Sequence, residues 1–583
     1  MFLYFFQSSL ILFIIFEISN LLNNKFKINN HVKYLFSILI LLTTIFFSLK
    51  LINIININFN SNLSYLFTLR IFFYILLFLT LFSFIKKKKY AFNKIDLCFV
   101  GIYFFLCFLT YDRYFLDEDE FTYWGLRIKD YYYLNEFQTF KLSNYHQPLL
   151  TFWQLFFSTN FEFKENIFIF ANSVILIGAF FFLAEEVLKI NKINYKLVSL
   201  YLILYYLLIN NLSFGFVSIY ADPIVAILSA CILKLIIKNE YNKSNILLLI
   251  LLSICLYFVH RLGVIFLLLL LPLILLKNYK FIIFVNKIRF LAYIILIIIF
   301  FRFLFFNTLV YSQTPFNIFD RLDLLFEILV DFIINVKKIF LVDIYFSSFG
   351  TSINKFFEFY FNKKNILNIY TLNILYWVII LSIVIFFQKK KNILIYFILS
   401  LIFYFLVIYI EKIHFQNLSY LVFGRYVSIF LLSYMLYFFT KKNNIYLIYF
   451  LLTINFLITP LKSFGFFVPD SIYYAYEKNK SFKINRKQIK QFALKHKDCK
   501  NVFAIYNKKN FPNYLDGHYS LMLNVINYEL LLSRIRFQDL DELKEIKNTD
   551  FLHFYDCIFS INIANKDLNI FNFKAKKPFK INL

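Results

Sequence analysis

Apolar runs of eighteen or more residues recur along the chain, broken by short segments rich in lysine and asparagine. Runs of that length cross a hydrocarbon layer of about 30 Å as helices. Backbone inside lipid must satisfy its own hydrogen bonds, and the two-residue alternation of barrel strands is absent from these runs. They therefore predict about fourteen transmembrane helices, near 2–20, 34–53, 64–85, 95–111, 166–188, 197–213, 218–238, 245–260, 262–277, 282–306, 366–388, 392–411, 417–440 and 444–464. The first run has no basic leader and no small-residue cleavage site, so a retained helix is expected there.

The polar punctuation orients these helices. Lys25/Lys27, Lys86–Lys89, Lys189–Lys196, Lys238–Lys243, Lys277–Arg289, Lys389–Lys391 and Lys441/Lys442 all fall on one side if the spans alternate. Lysine-rich short loops stay in the cytoplasm, so both termini are expected outside. Two outer segments are long, 112–165 and 307–365, and Leu325–Phe340 in the second reads as an amphipathic surface helix.

After residue 465 the hydrophobicity drops. Arg486–Lys497 places Ile489, Phe492 and Ala493 on one helix face. Asn501–Tyr506 and Cys557–Asn562 read as buried strands, with Tyr528–Phe537 predicted as a helix between them. The expected fold is an all-α polytopic membrane protein with a small C-terminal α/β soluble domain. Its parts are 1–111 (N-terminal helices), 112–165 (an outer acidic loop with juxtamembrane helices), 166–465 (the transmembrane core, including outer loop 307–365) and 466–583 (the outer domain).

Composition agrees with this reading. Hydrophobic residues make up 61% of the 583 and charged residues 16%, which excludes an ordinary soluble domain. Phe occurs 84 times while Gly and Pro occur 9 and 8 times, the mark of an AT-rich coding sequence. The net charge of +27 reads first as membrane topology, and no nucleic-acid partner is expected. Of six cysteines, Cys499 and Cys557 alone lie in the outer tail. An oxidising compartment there predicts a disulfide between them.

Acidic residues are scarce, so four in a row stand out: Asp117, Glu118, Asp119 and Glu120, just outside the fourth span. One carboxylate at a water–lipid boundary can take a proton from a hydroxyl, and its neighbours raise its pKa toward that role. Four carboxylates also suit a divalent cation, with Asp119 and Glu120 its ligands if one binds. Beyond them Phe121, Trp124, Ile128 and Tyr131/Tyr132 share a helical face, opposite Arg127, Lys129 and Asp130. That pattern predicts an interfacial helix with its aromatic face toward lipid. His146 and Gln147–Trp153 then open a second short helix.

Three further positions fall at the same outer level. Asp222 precedes Pro223 at a span's outer end, where an acid is costly and functional by default, or else a helix cap. His260 and Arg261 lie between two spans, where a cation runs against the positive-inside trend and a phosphate or snorkelling explains it. Arg425, with Gly424 and Tyr426, lies inside a span and needs an anionic partner.

With these residues in view, the sequence resembles the GT-C superfamily of membrane glycosyltransferases, in particular the branch of protein O-mannosyltransferases and lipid A aminoarabinose transferases. Asp119–Gly125 is similar to that branch's acidic-aromatic motif, and Gln147–Trp153 resembles its second element. The resemblance covers residues 112–465 in layout. The chain departs from it in carrying three helices before the span that leads to the acidic loop, and in lacking a lysine and paired prolines in the second element. The resemblance implies Asp119 as catalytic base with Glu120 its partner, Asp117, Glu118 and Asp222 being the alternative acids. It implies His260, Arg261 and Arg425 at the donor phosphate, with Tyr123, Trp124, His146 and Tyr426 lining the substrate site. The implied donor is a polyprenyl-phosphate sugar, the acceptor a glycan, lipid or protein, and the location the bacterial cytoplasmic (inner) membrane. A polysaccharide polymerase or ligase using Arg302, Arg321 and His414, or a lipid-glycan transporter, are the competing functions. No nucleotide-binding loop, zinc spacing or serine elbow is present.

Overall fold

A computed structural model of the chain describes residues 2–26, 28–59, 64–86, 92–111, 115, 124–134, 149–160, 163–188, 219–238, 243–260, 420–439, 501–506, 528, 534–539, 557–564 and 567–573, with single positions between 198 and 209, 263 and 267, and 382 and 401. Of residues 53–59, 421–428 and every strand position but Phe503, the backbone alone is described.

The described helices are α1 (Phe2–Phe26), α2 (Lys33–Phe59), α3 (Tyr65–Lys86), α4 (Lys94–Thr110), α5 (Gly125–Lys129), α6 (Leu149–Phe157), α7 (Glu165–Leu183), α8 (Glu185–Leu188), α9 (Asp222–Lys238), α10 (Lys243–Val259) and α11 (Tyr420–Phe439). Leu3–Phe26, Lys33–Ile52, Tyr65–Lys86 and Glu165–Leu183 are long and apolar enough to cross a membrane, as an integral membrane protein requires. The predicted spans near 262–277, 282–306, 366–388, 392–411 and 444–464, most of 197–213, and the loop 307–365 lie wholly or mostly outside the described residues.

The bundle is built around α7, whose residues 166–183 are all buried. It packs on α2, α4, α6 and α9. Gly178 permits the closest approach. A Cβ there would stand 2.6 Å from Ile38 Cδ1 and 3.4 Å from Leu35 Cα, so α2 lies against bare backbone. By contrast α3 exposes Phe67, Ile71, Tyr74, Ile75, Phe78 and Phe82, a surface suited to lipid.

Polar contacts gather the helix ends into two layers. In one, Lys33 Nζ pairs with Asp96 Oδ1 at 2.6 Å and the Tyr34 hydroxyl donates to the same oxygen at 2.6 Å. Asp96 also closes a capping box with Asn93, starting α4. Glu185 meets Lys234 at 3.2 Å and Lys238 at 3.4 Å, and Asn29 Nδ2 donates to it at 3.5 Å. In the other layer the Tyr4 hydroxyl meets Thr110 Oγ1 at 2.7 Å, Arg70 Nε donates to the Thr159 carbonyl at 2.6 Å, and Asn166 Nδ2 donates to the Tyr111 carbonyl at 2.6 Å. The starts of α1, α3 and α7 and the end of α4 thus share one layer. The end of α1 and the starts of α2 and α4 share the other, with α8 and the end of α9. This is the alternation that the lysine loops predict.

Two local expectations change. The stretch after the acidic run is not an interfacial helix with an aromatic face to lipid: α5 continues into a π-helical turn, Asp130–Leu134, and Trp124, Arg127, Ile128, Lys129 and Tyr131 are all buried. Tyr131 packs edge-on to Tyr65 and Phe152, so its aromatic partners come from protein. In the tail, Arg534–Asp539 lies in a strand, where a helix over Tyr528–Phe537 was expected. Alternation at Ile535 and Phe537 suits a strand, and the edge of its neighbour supplies the pairing partners. The strands β1 (Asn501–Tyr506), β2 (Arg534–Asp539), β3 (Cys557–Ala564) and β4 (Asp567–Phe573) form a sheet in the order β2-β1-β3-β4. Pairing is parallel on both sides of β1 and antiparallel between β3 and β4.

Candidate functional site at one end of the bundle

The acidic run is bracketed by two anchored residues. Before it, Phe115 is buried and its amide donates to Glu165 Oε2 at 2.7 Å. Glu165 is the first residue of α7, where a carboxylate also complements the helix dipole. After it, buried Trp124 leads into α5, whose cations turn inward. Arg127 is 1% exposed, and Lys129 Nζ donates to the Tyr528 carbonyl at 2.8 Å.

A third cation comes from α2. Lys50 is 5% exposed, sits over the Phe46 ring at 5.8 Å, and lies within electrostatic reach of Arg127. Among the described residues no carboxylate pairs with it. Phe46 in turn touches Phe152 of α6 and Phe258 of α10. Lys50 and Arg127 are thus two basic side chains buried at one level of the bundle.

Below these cations α6 is buried on every side. Trp153 Nε1 donates to the Ala171 carbonyl at 2.8 Å, and Gln154 Nε2 donates to Asn172 Oδ1 at 3.0 Å. Asn172 Nδ2 donates in turn to the Tyr220 carbonyl at 3.4 Å, two residues before Asp222. This relay sets the start of α9 seven residues along α7, roughly 10 Å from the start of α7 at 1.5 Å per residue. Asp222 is 1% exposed and opens the first turn, where Pro223 removes no ladder hydrogen bond. Its carboxylate is thus sunk into the protein.

His260 follows the last residue of α10 and is buried, and its carbonyl accepts from Gly263 N at 2.8 Å. A Cβ at Gly263 would stand 1.9 Å from the Leu256 carbonyl oxygen, so this turn accepts only glycine. α11 packs along α9, and Tyr437 near its end lies within electrostatic reach of Glu186 in α8. The first turns of α11, which carry Arg425 and Tyr426, therefore belong to the same layer as Asp222.

No family model matches this chain, and no curated protein or solved structure matches it either.

Of the residues singled out from sequence, the structure brings Trp124, Asp222 and His260 to one end of the bundle, and the backbone of Arg425 and Tyr426 to the same layer. Asp117, Glu118, Asp119, Glu120, Tyr123, His146, Arg261 and Cys499 lie outside the described residues, as do Arg302, Arg321 and His414. Cys557 begins β3, and the Cys499–Cys557 pairing falls outside what is described. Cys98, Cys107, Cys231 and Cys255 are free thiols. Among the described residues no three metal-ligating side chains converge.

Sequence reasoning missed Lys50, Glu165 and Asn172, and assigned Arg127 and Lys129 only to the outer face of a surface helix. Lys50 carried a usable signal: it is a lysine at the end of an apolar run that the loop charges predict to lie outside, where it breaks the positive-inside trend as Arg261 does. Asn172 carried none, because its value lies in contacts with two other helices.

Proposed function

We propose that this chain is a membrane glycosyltransferase that moves a sugar from a polyprenyl-phosphate donor to an acceptor at the outer face of the cytoplasmic membrane. In this reading Asp119, aided by Glu120, takes the proton from the acceptor hydroxyl. The acceptor oxygen forms a bond to the anomeric carbon as the bond from that carbon to the phosphate oxygen breaks. The carrier phosphate leaves with the bonding electrons, and buried cations stabilise its charge. Lys50 and Arg127 join His260, Arg261 and Arg425 as candidates for holding it. About fourteen spans, outward-facing termini and an outer α/β domain at 466–583 complete the proposed architecture.

The observation that carries the reading is the burial of cations beside the roots of the acidic run. Phe115 and Trp124 are both fixed in the bundle, and Arg127 and Lys50 are buried in the same layer. Acid and phosphate-binding cation at one bilayer level is what transfer from a lipid phosphate needs.

The test is transfer of a radiolabelled polyprenyl-phosphate sugar in proteoliposomes. Asp119→Asn is expected to abolish transfer while the protein elutes as folded in detergent. Lys50→Met is expected to raise KM for the donor at least tenfold. Full activity of Asp119→Asn, with loss on replacing Arg302, Arg321 or His414, would instead assign the chain to polymerase or ligase chemistry.

A further inference from the structure

Tyr528 is the one described residue between β1 and β2, and it is fully buried against the helix bundle, not in the sheet. Its hydroxyl donates to Glu165 Oε1 at 2.8 Å. The other oxygen of that carboxylate holds the Phe115 amide. Its backbone carbonyl accepts from Lys129 Nζ at 2.8 Å, and the same ammonium lies 3.6 Å from its ring centroid. Phe115 and Phe163 flank the ring at 5.9 and 6.5 Å. A cation over an aromatic face and a charge-assisted hydrogen bond are both strengthened where water is excluded.

These contacts join two points that flank the acidic run in sequence. Glu165 fixes Phe115 on one side, and Lys129 closes α5 on the other. Tyr528 bridges Glu165 to Lys129 across more than 360 residues of chain. We propose that Tyr528 is a positioning residue, a strap by which the C-terminal segment fixes both roots of the acidic run. Undocking it removes the Tyr528 carbonyl and ring from Lys129 and the Tyr528 hydroxyl from Glu165. The C-terminal part thereby acts on the acidic run at a distance, and this holds whatever reaction the run performs.

Hydrogen–deuterium exchange on the full chain in lipid nanodiscs tests the strap without an activity assay. In Tyr528→Ala the amides of residues 124–134 are expected to exchange at least tenfold faster, with α1, α2 and α9 unchanged. Tyr528→Phe keeps the ring under Lys129 and loses the bond to Glu165, so it is expected to fall between native and Ala. Lys129→Met is expected to reproduce the Ala profile. If Tyr528→Ala does not fold, the Phe and Met variants decide. Unchanged exchange at 124–134, or acceleration spread equally over α1, α2 and α9, would overturn the proposal.

Discussion

Lys33 and Asp96 bring two charges into the bundle, each almost wholly buried, and the pair persists because both groups are well supplied with partners. Asp96 accepts from Tyr34, pairs with Lys33 and caps α4, while Lys33 also donates to Asn20 Oδ1 at 3.3 Å. Removing one partner strands the other in low dielectric, at a cost of about 3–5 kcal/mol. Asp96→Asn is therefore expected to destabilise the protein by that order in reversible unfolding from detergent micelles. The double replacement Lys33→Met with Asp96→Leu should recover much of the loss, because no charge is then left unpaired. Gly263 is constrained by space, not charge. A Cβ added there would come within 1.9 Å of the Leu256 carbonyl oxygen, so Gly263→Ala must shift backbone. A lower thermal midpoint is expected for it, whereas Gly101, with open space around it, should accept Ala without penalty.

Among the elements, α6 is one of the short helices with little independent claim to exist. Nine residues are too few for a stable isolated helix, so its stability comes from what surrounds it. The relay from Gln154 through Asn172 to the Tyr220 carbonyl ties it to α7 and to the start of α9. Asn172→Ala leaves the Gln154 amide and the Tyr220 carbonyl without that partner. Each orphaned buried group costs about 1–3 kcal/mol. The expected outcome is a lower unfolding midpoint together with faster hydrogen exchange at residues 219–225, where α9 begins. Slowed exchange, or a change confined to α6, would argue that the relay does not hold Asp222 in place.

For the whole molecule the question is which layer faces the cytoplasm. The layer of Lys33, Lys234 and Lys238 is the lysine-rich one, and it is expected inside. In a background lacking the six native cysteines, Asn160→Cys should react with an impermeant maleimide in intact cells. Asn30→Cys, in the opposite layer, should react only after permeabilisation. Reversed labelling would invert the orientation, and with it the access of the acidic run to an outer acceptor.

Positions of the described helices, their alternation and the strands at 501–506 and 557–564 were legible in the sequence, because hydrophobic periodicity and loop charge are local quantities. Trp124, Asp222 and His260 also stood out in the sequence, each anomalous for its place in an apolar chain, and all three are buried at one end of the bundle. Local pattern could not tell that α5 turns both its faces into protein, since a helix at a membrane boundary and one beneath other helices carry the same amphipathic stripe. Nor could it show Lys50 beside Arg127, Asn172 bridging three elements, or Tyr528 joining the roots of the acidic run. Those are meetings between residues tens to hundreds apart in sequence, and only the packing of one helix on another decides them.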